Sequence, residues 1–376
     1  MLSRTLTCSV LLSLASAAQT FVVDAENRPG TDFTSLVAAI AAVPSGSTLL
    51  VRGGRYFESP EIQGKALAIV CEPAATVLLP LGGAAVIRGL AAQQNVTIRD
   101  LILIANSNNP SFSARLSAID ADGLVLLDGV RGAGAAGVTL VARNCARLSA
   151  RRCEFRGSRS ASVEVEGGNA CFESCWLGRA EGANGQVGLR QSGGTVQLVD
   201  CQVDGSQPLL GISGPAVDTN GSLRVLGNSV LRGGAFPPAA LAIAGTGTVR
   251  LEPSVQLFGA SPLLDPRLQV TTRAMPRMTA AAQAGGQVDV ALHGPHGDAA
   301  AIFVGLPGVP VPLFGDAVWL GADPLVLRLG GVAPLSFRTA PLHNLAPPGF
   351  CLGWQAVTLT PTGTAQLSNP VFHVAW

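Results

Sequence analysis

The chain has 376 residues, which is long enough for two domains, and its 25 basic and 24 acidic residues leave almost no net charge. That balance provides no field that would attract nucleic acid or an anionic membrane. Aromatic residues make up only 5% of the chain, which argues against a surface built to stack bases or many sugar rings.

Residues 1–18 have the pattern of a signal peptide. Arg4 gives a short positive region, Cys8 to Leu14 are apolar, and Ala15-Ser16-Ala17 is an A-x-A-type cleavage site. The apolar stretch is too short to span a bilayer, which takes about 20 residues. We therefore expect export to the periplasm, the cell surface or the medium, with the mature chain beginning at Ala18 or Gln19.

Residues 21–57 predict a strand, a short amphipathic helix, a turn and a second strand. Asp32 or Thr34 can cap the helix, and Pro44 and Gly46 end it. The apolar stripe of this helix consists of Leu36, Ile40 and Val43. A buried strand, Thr48 to Val51, and a Gly-Gly corner follow.

Short apolar-alternating runs recur through residues 95–257 and decide the fold. Subtracting the anchor numbers gives spacings of 28, 24, 22, 26, 27 and 26 residues for Asp100, Asp128, Arg152, Ser174, Asp200, Gly227 and Pro253. A period in the twenties with strand-like alternation indicates a solenoid whose units bury their apolar faces on one another. The Leu/Asn consensus of leucine-rich repeats is missing. The sequence therefore predicts a right-handed parallel β-helix.

Three cysteines support this register, because Cys153, Cys175 and Cys201 each follow an anchor by one residue. The same slot holds Leu101, Gly129, Asn228 and Ser254. Two positions further lie Leu103, Phe155, Leu177, Val203 and Val230, with Arg131 as a misfit. Coil-length spacing is unlike that of a metal site, so we interpret the thiols as stacked core residues. Seven cysteines follow the predicted cleavage site; disulfides are possible but not required.

The strand, helix, turn and Gly-x-Tyr order of residues 21–57, together with the repeats, resembles the pectin-lyase-like β-helix superfamily over residues 19–265. The resemblance implies that the helix covers one end of the core. It does not imply one function, because the superfamily contains lyases, hydrolases, esterases, tailspikes and adhesins.

A second strand in each coil presents an outward column of alternating charge. The column reads Arg143, Glu166, Arg190, Asp218 and Ala244. If the protein is an enzyme, the candidate catalytic residues are Glu166, Arg190 and Asp218, with Asp120, Asp122 and Glu164 nearby, and a lyase would use Ca²⁺. The alternative is that these charges only stabilise one another on a solvated sheet. The motif sets of polygalacturonases, pectinesterases and pectate lyases are absent.

Beyond residue 265 the repeat stops. Residues 266–286 predict a linker, and short strands over 287–376 predict a small antiparallel β-sandwich. The ending resembles C-terminal modules of secreted proteins of environmental bacteria, which have no established activity. His293 and His296, with Asp298, are candidate metal ligands; the alternative is that they form a polar hairpin turn without a metal. Two interpretations remain open for Trp319, Trp354 and Trp376: they form a platform that binds sugar rings, or they fill the core.

From these patterns we predict a secreted, noncatalytic β-helix protein with extracellular polysaccharide as its candidate ligand. The alternative is a lyase or glycoside hydrolase acting on an acidic polysaccharide. We predict no nucleic-acid partner, no transmembrane segment and no cofactor apart from Ca²⁺ in a lyase. The oligomeric state is open.

Overall fold

The computed structural model describes residues 19–80, 83–105, 114–133, 138–157, 161–179, 186–206, 212–235, 237–283, 286–295, 298–313, 316–320, 325–339 and 351–374. The predicted signal peptide lies outside these residues. Most of the chain forms a parallel β-solenoid with three faces, here called A, B and C, and antiparallel sheets follow it.

Face A holds parallel strands that are stacked along the solenoid. They are β1 (Thr20–Val23), β2 (Ser47–Val51), β5 (Leu67–Cys71), β8 (Asn95–Arg99), the second parts of β10 (Ala114–Asp128) and β12 (Val138–Arg151), β15 (Asn169–Glu173), β18 (Thr195–Val199), β21 (Ser222–Leu226), β24 (Thr248–Leu251) and β26 (Gln269–Thr272).

Face B is a nine-stranded parallel sheet. It consists of β3 (Gly54–Tyr56), β6 (Ala75–Leu79), β9 (Ile102–Ala105), β11 (Arg131–Ala133), β13 (Glu154–Gly157), β16 (Trp176–Arg179), β19 (Gln202–Asp204), β22 (Val230–Arg232) and β25 (Gln256–Phe258).

Face C completes each turn and runs directly into face A through the long strands β10 and β12. It consists of β4 (Glu61–Gln63), β7 (Ala84–Arg88), the first parts of β10 and β12, β14 (Ala161–Glu166), β17 (Val187–Ser192), β20 (Val217–Thr219) and β23 (Ile243–Gly245). Inward side chains of all three faces form one continuous hydrophobic core.

The cysteine column is confirmed. Face B pairs Glu154 with Trp176 and Trp176 with Gln202, which stacks Cys153, Cys175 and Cys201, and all three are buried. Each thiol donates to a main-chain oxygen of the preceding turn, at 3.5 Å for Leu127, 3.3 Å for Ala150 and 3.3 Å for Phe172. These cysteines therefore pack as small core residues, and every cysteine of the described chain is a free thiol.

The predicted repeat register is wrong by one residue at two places. At the corner between faces A and B, a positive φ is shared by Asp100, Arg152, Ser174 and Asp200. In the turn of β10 this conformation belongs to Gly129 and not to Asp128. Consequently Gly132, which is buried, pairs with Leu103, and the misfit Arg131 faces outward. A one-residue slip exchanges the two faces of a strand, which explains why Arg131 did not fit.

The second error follows Gly227, where the coil has one extra residue. Leu231 pairs with Val203, so it takes the slot predicted for Val230. Ser229 lies beside Cys201, in place of Asn228, and its Oγ accepts a hydrogen bond of 3.1 Å from the Cys201 amide.

A helix, α1, spans Leu36–Ala42 and buries Leu36, Ala39 and Ile40 in the solenoid core. Its N-cap is Ser35, whose Oγ accepts from the Ala38 amide at 3.1 Å, so the predicted caps Asp32 and Thr34 are wrong. Asp32 Oδ2 instead accepts from the Val22 amide at 2.7 Å. Val43, predicted to lie in the helical stripe, is buried but follows the last helical residue.

The antiparallel part begins inside the segment predicted as a linker. Of residues 266–286, β26 continues face A, and β27 (Arg277–Ala282) pairs antiparallel with β28 (Val288–His293). The remaining strands are β29 (Ala299–Gly305), β30 (Pro307–Leu313), β31 (Asp316–Leu320), β32 (Leu325–Val332), β33 (Leu335–Arg338), β34 (Cys351–Leu359), β35 (Ala365–Leu367) and β36 (Val371–Val374). The small antiparallel sheets pack their apolar residues into a core of their own.

The antiparallel part covers the outer surface of face A. A third apolar cluster joins Leu124, Leu126, Val199 and Leu226 of face A to residues that follow the solenoid, among them Met275, Trp319, Cys351, Phe372 and Val374. Strand β27 crosses the stacked strands of face A, because Arg277 contacts Asp200 whereas Ala280 to Ala282 lie beside Asp128. The strands of face A that carry Leu124, Leu126, Val199 and Leu226 are therefore buried on both sides.

Among the residues described, no helix has both the length and the apolar character needed to cross a membrane.

Candidate functional site

The charge column predicted on face C exists, but its register differs from the prediction. Arg143 pairs with Glu166, and Arg190 pairs with Asp218, which in turn pairs with Ala244. Arg190 faces Glu164, however, and Glu166 faces Ser192. A slip of two residues keeps every side chain on its face, so alternation alone could not distinguish the two registers.

These face C charges are paired with one another and open to solvent. Arg190 lies 4.0 Å from Glu164 and 3.7 Å from Asp218, with 39% of its side chain exposed. Arg143 forms two hydrogen bonds to Glu166, of 2.5 and 3.2 Å, and these bonds hold the pKa of Glu166 below its ordinary value. Glu166 and Asp218 therefore each form an ion pair with an arginine.

The other acidic candidates lie at the junction of faces C and A. Asp120 is exposed, and its Oδ1 accepts a hydrogen bond of 3.0 Å from Asn144. Asp122 is also exposed, and its main-chain oxygen accepts from Arg147 at 3.0 Å. Within the described residues, no three His, Cys, Asp or Glu side chains group together as a metal site would require.

The candidate metal ligands and the candidate sugar platform lie in the antiparallel part. His293 Nε2 lies 3.2 Å from Thr279 Oγ1, and Asp298 is buried, but His296 lies outside the described residues. Trp319 and Trp354 are core residues and do not form a sugar platform, because both rings are only 1% exposed and pack in apolar clusters. Trp376 also lies outside the described residues.

A cleft of about 450 Å³ opens where the antiparallel part crosses face A. Face A contributes Thr97, Arg99, Asp128 and Arg151, and the corner contributes Arg152. The opposite wall consists of the end of β27, residues 286–287 and His373 of β36. The volume lies within the range of about 300–1,000 Å³ that is usual for small-molecule sites.

Asp128 organises this cleft. Its Oδ2 accepts a hydrogen bond of 2.6 Å from Arg151 Nη2, and its Oδ1 accepts two from Arg152, of 3.0 and 2.7 Å. Burial alone would raise the pKa of Asp128, but the two arginines outweigh it and hold the pKa below its ordinary value. The carboxylate therefore stays ionised and fixes both guanidinium groups.

The cleft has an excess of positive charge. Arg99 stands beside Asp128 in the register of face A and lies 3.1 Å from Asp100 through its Nε. Arg151 Nε is buried and has no hydrogen-bond partner. His373 remains neutral at physiological pH, because burial lowers its pKa to about 4. The lining thus combines three arginines with the Asp128 carboxylate, while Asp100 pairs with Arg99 from outside the lining.

Glu173 is the next residue of the same face A column, opposite Arg151. Burial raises its pKa to about 7, although Arg151 acts in the other direction. The main chain of Ala280 donates a hydrogen bond to the Glu173 carboxyl group, which places Glu173 under β27 and not in the cleft.

The column Arg99, Asp128, Arg151 and Glu173 was missed as a functional feature from the sequence. A signal was present, since these residues end four successive face A strands and alternate in charge. From the sequence, alternating charge is predicted only on face C. Nothing in the sequence placed β27 and His373 against this column, because that contact joins segments more than 100 residues apart.

No protein-family model matches this chain, and no curated protein matches it in sequence.

Proposed function

We propose that the protein is an exported, noncatalytic binding protein of the pectin-lyase-like β-helix type, and that its cleft binds the acidic groups of a polysaccharide. The observation that carries this proposal is the composition of the cleft: Arg99, Arg151 and Arg152 line it together with one carboxylate, Asp128. Guanidinium groups match carboxylates and sulfates in shape and charge, and a fixed guanidinium loses little freedom on binding.

The state of the carboxyl groups supports binding over catalysis. Glycoside hydrolysis requires two carboxyl groups flanking one bond, one of them able to donate a proton. Asp128 is held ionised by two arginines, and Glu173, whose raised pKa would suit an acid, lies beneath β27. On face C, Glu166 pairs with Arg143 and Asp218 pairs with Arg190, so these two carboxylates do not flank a common substrate position.

Export is supported by the sequence of residues 1–18, and small antiparallel sheets follow the solenoid, where the sequence predicts a β-sandwich over 287–376. A polysaccharide is the favoured class because an extracellular acidic polymer offers repeated carboxylates or sulfates to one fixed cleft. The few aromatic side chains agree with recognition through charge and not through stacking.

Equilibrium binding to polygalacturonate, alginate and neutral dextran tests the proposal. We expect binding to the two uronate polymers that weakens as salt rises, and none to dextran. Arg99→Ala should weaken binding, whereas Arg190→Ala, on another face, should leave it unchanged. Binding of dextran equal to that of the uronates, or equal effects of the two substitutions, would contradict an anion-selective cleft.

The same polymers serve the enzymatic alternative. Incubation with and without Ca²⁺, followed by measurement of unsaturated products and new reducing ends, should show no turnover. Cleavage that depends on Arg190 would favour the lyase or hydrolase and overturn the noncatalytic proposal.

A further inference from the structure

We infer that the C-terminal end of the solenoid is an interface at which two copies of this chain join end to end. The last strands of faces A and B are β26 and β25. Within the described residues, β26 pairs only with β24, and β25 pairs only with β22. Each strand thus presents a free edge, and all four residues of β26 are exposed. Free edges of this kind are templates for pairing with another chain.

The apolar core is also open at this end. Val255, Leu257 and Leu264 pack against the core and remain partly exposed, and Phe258 and Val270 are 48% and 38% exposed. Leu263, beside them in sequence, is 37% exposed. These residues belong to the last turn, so nothing in the described chain stacks on them as each earlier turn stacks on its neighbour. Solenoids generally need a polar terminal unit here to remain monomeric.

The opposite end differs. There α1 buries Leu36, Ala39 and Ile40, and the edge of β1 is engaged, since the main-chain oxygen of Val22 accepts hydrogen bonds from Asp32 and Phe33. Within the described part of the chain, α1 thus packs on one end of the core, whereas the other end remains apolar. We therefore expect the covering partner at the C-terminal end, where the described residues leave apolar side chains exposed.

A second copy fits this surface better than a charged partner would. Strands β25 (Gln-Leu-Phe) and β26 (Gln-Val-Thr-Thr) carry no charged side chain, so a two-fold axis brings no like charges together. Arg267, which is exposed, already pairs with the buried Asp265 carboxylate at 2.7 Å. The net charge of +1 gives little repulsion between copies. Two β26 edges related by a two-fold axis would pair antiparallel.

Sedimentation and light scattering of the full mature chain test the inference. We expect a dimer for the unmodified chain, a monomer for Val270→Lys, and a dimer for Val37→Lys, whose site on α1 is similarly exposed (41%) but lies at the other end. Val37→Lys should keep the melting temperature of the parent, whereas Val270→Lys should still unfold cooperatively but at a lower temperature, because it loses the stabilisation that dimer formation provides. A monomeric parent at high micromolar concentration, a Val270→Lys dimer, or open-ended polymers would overturn the inference.

Cross-linking gives a second readout that does not depend on weakening the interface. Every cysteine of the described chain is buried, so an introduced surface thiol is readily distinguished. Val270→Cys should form a disulfide-linked dimer under mild oxidation, and Val37→Cys should not. Equal cross-linking of the two variants would mean that β26 is not at a specific interface.

Discussion

Arg151 lies directly opposite Asp128 on the neighbouring strand of face A, and its Nη2 donates a hydrogen bond of 2.6 Å to Asp128 Oδ2. Both side chains are nearly buried, with 10% and 7% exposed. Removing one partner of a buried pair leaves the other charge without compensation, which costs more than the pair contributes. Asp128 is therefore a structural residue of the cleft as well as part of its lining.

The first prediction is that Asp128→Asn lowers the free energy of unfolding by roughly 3 kcal/mol, because Arg151 stays buried and loses its counter-charge. The matched control is Glu166→Gln, which breaks an exposed pair with Arg143 and should cost at most about 1 kcal/mol. Denaturant unfolding of both variants at pH 7 measures the difference. Equal losses would show that burial of the Asp128 pair has no energetic consequence.

The second prediction concerns Glu173 and pH. Its pKa is about 7 in the folded chain against 4.5 when unfolded, so its contribution to stability is fully present below pH 4.5 and is lost as pH rises towards 7. Glu173→Gln should remove this decline and stabilise the protein above pH 7, by on the order of 2 kcal/mol. Melting temperatures of the parent and the variant between pH 4 and 8 check it. A variant whose difference from the parent does not change with pH would contradict the assignment.

The third prediction concerns His373, whose effect has the opposite sign. Its pKa falls from 6.5 when unfolded to about 4 when folded, so stability is lost as pH falls from 6.5 towards 4. Because this window overlaps that of Glu173, the two slopes should largely cancel in the parent. His373→Gln should expose the decline with rising pH, and Glu173→Gln should expose the opposite slope. Parallel pH profiles for the two variants would refute the pairing of effects.

The sequence predicted the solenoid because its inward positions obey one rule in every turn, as Cys153, Cys175 and Cys201 illustrate. It failed at Arg131, where one residue exchanges faces, and at Glu166, where a slip of two residues leaves the faces unchanged. The cover over face A was not foreseen, although the run Leu124 to Leu127 is apolar on both sides of the strand, as is typical of a sheet buried on both faces. The cleft needed that cover and could not be placed without it.

The fourth prediction tests the cysteine column. Burial raises the pKa of Cys175 well above its ordinary value, and the thiol lies between Cys153 and Cys201. Cys175→Asp should lower the free energy of unfolding by at least about 3 kcal/mol, since it buries an unpaired carboxylate. Ser174→Asp, one residue earlier and exposed at a positive φ that Asp tolerates, should have little effect. Thiol reagents should label the parent only after unfolding, and rapid labelling of the native chain would place these cysteines at the surface.

The last prediction distinguishes the two registers of face C and the two functional hypotheses at one residue. Arg190 lies between Glu164 and Asp218, at 4.0 and 3.7 Å, in solvent. Exposed pairs contribute little, so Arg190→Ala should cost at most about 1 kcal/mol and leave the fold intact. Double-mutant cycles should detect small couplings of Arg190 to Glu164 and to Asp218 and none to Glu166, which faces Ser192. A measurable coupling to Glu166 would restore the register predicted from the sequence. The carboxylates of Glu164 and Asp218 pair with Arg190 and not with a substrate. We therefore expect no turnover of polygalacturonate by the parent or by Arg190→Ala, with or without Ca²⁺.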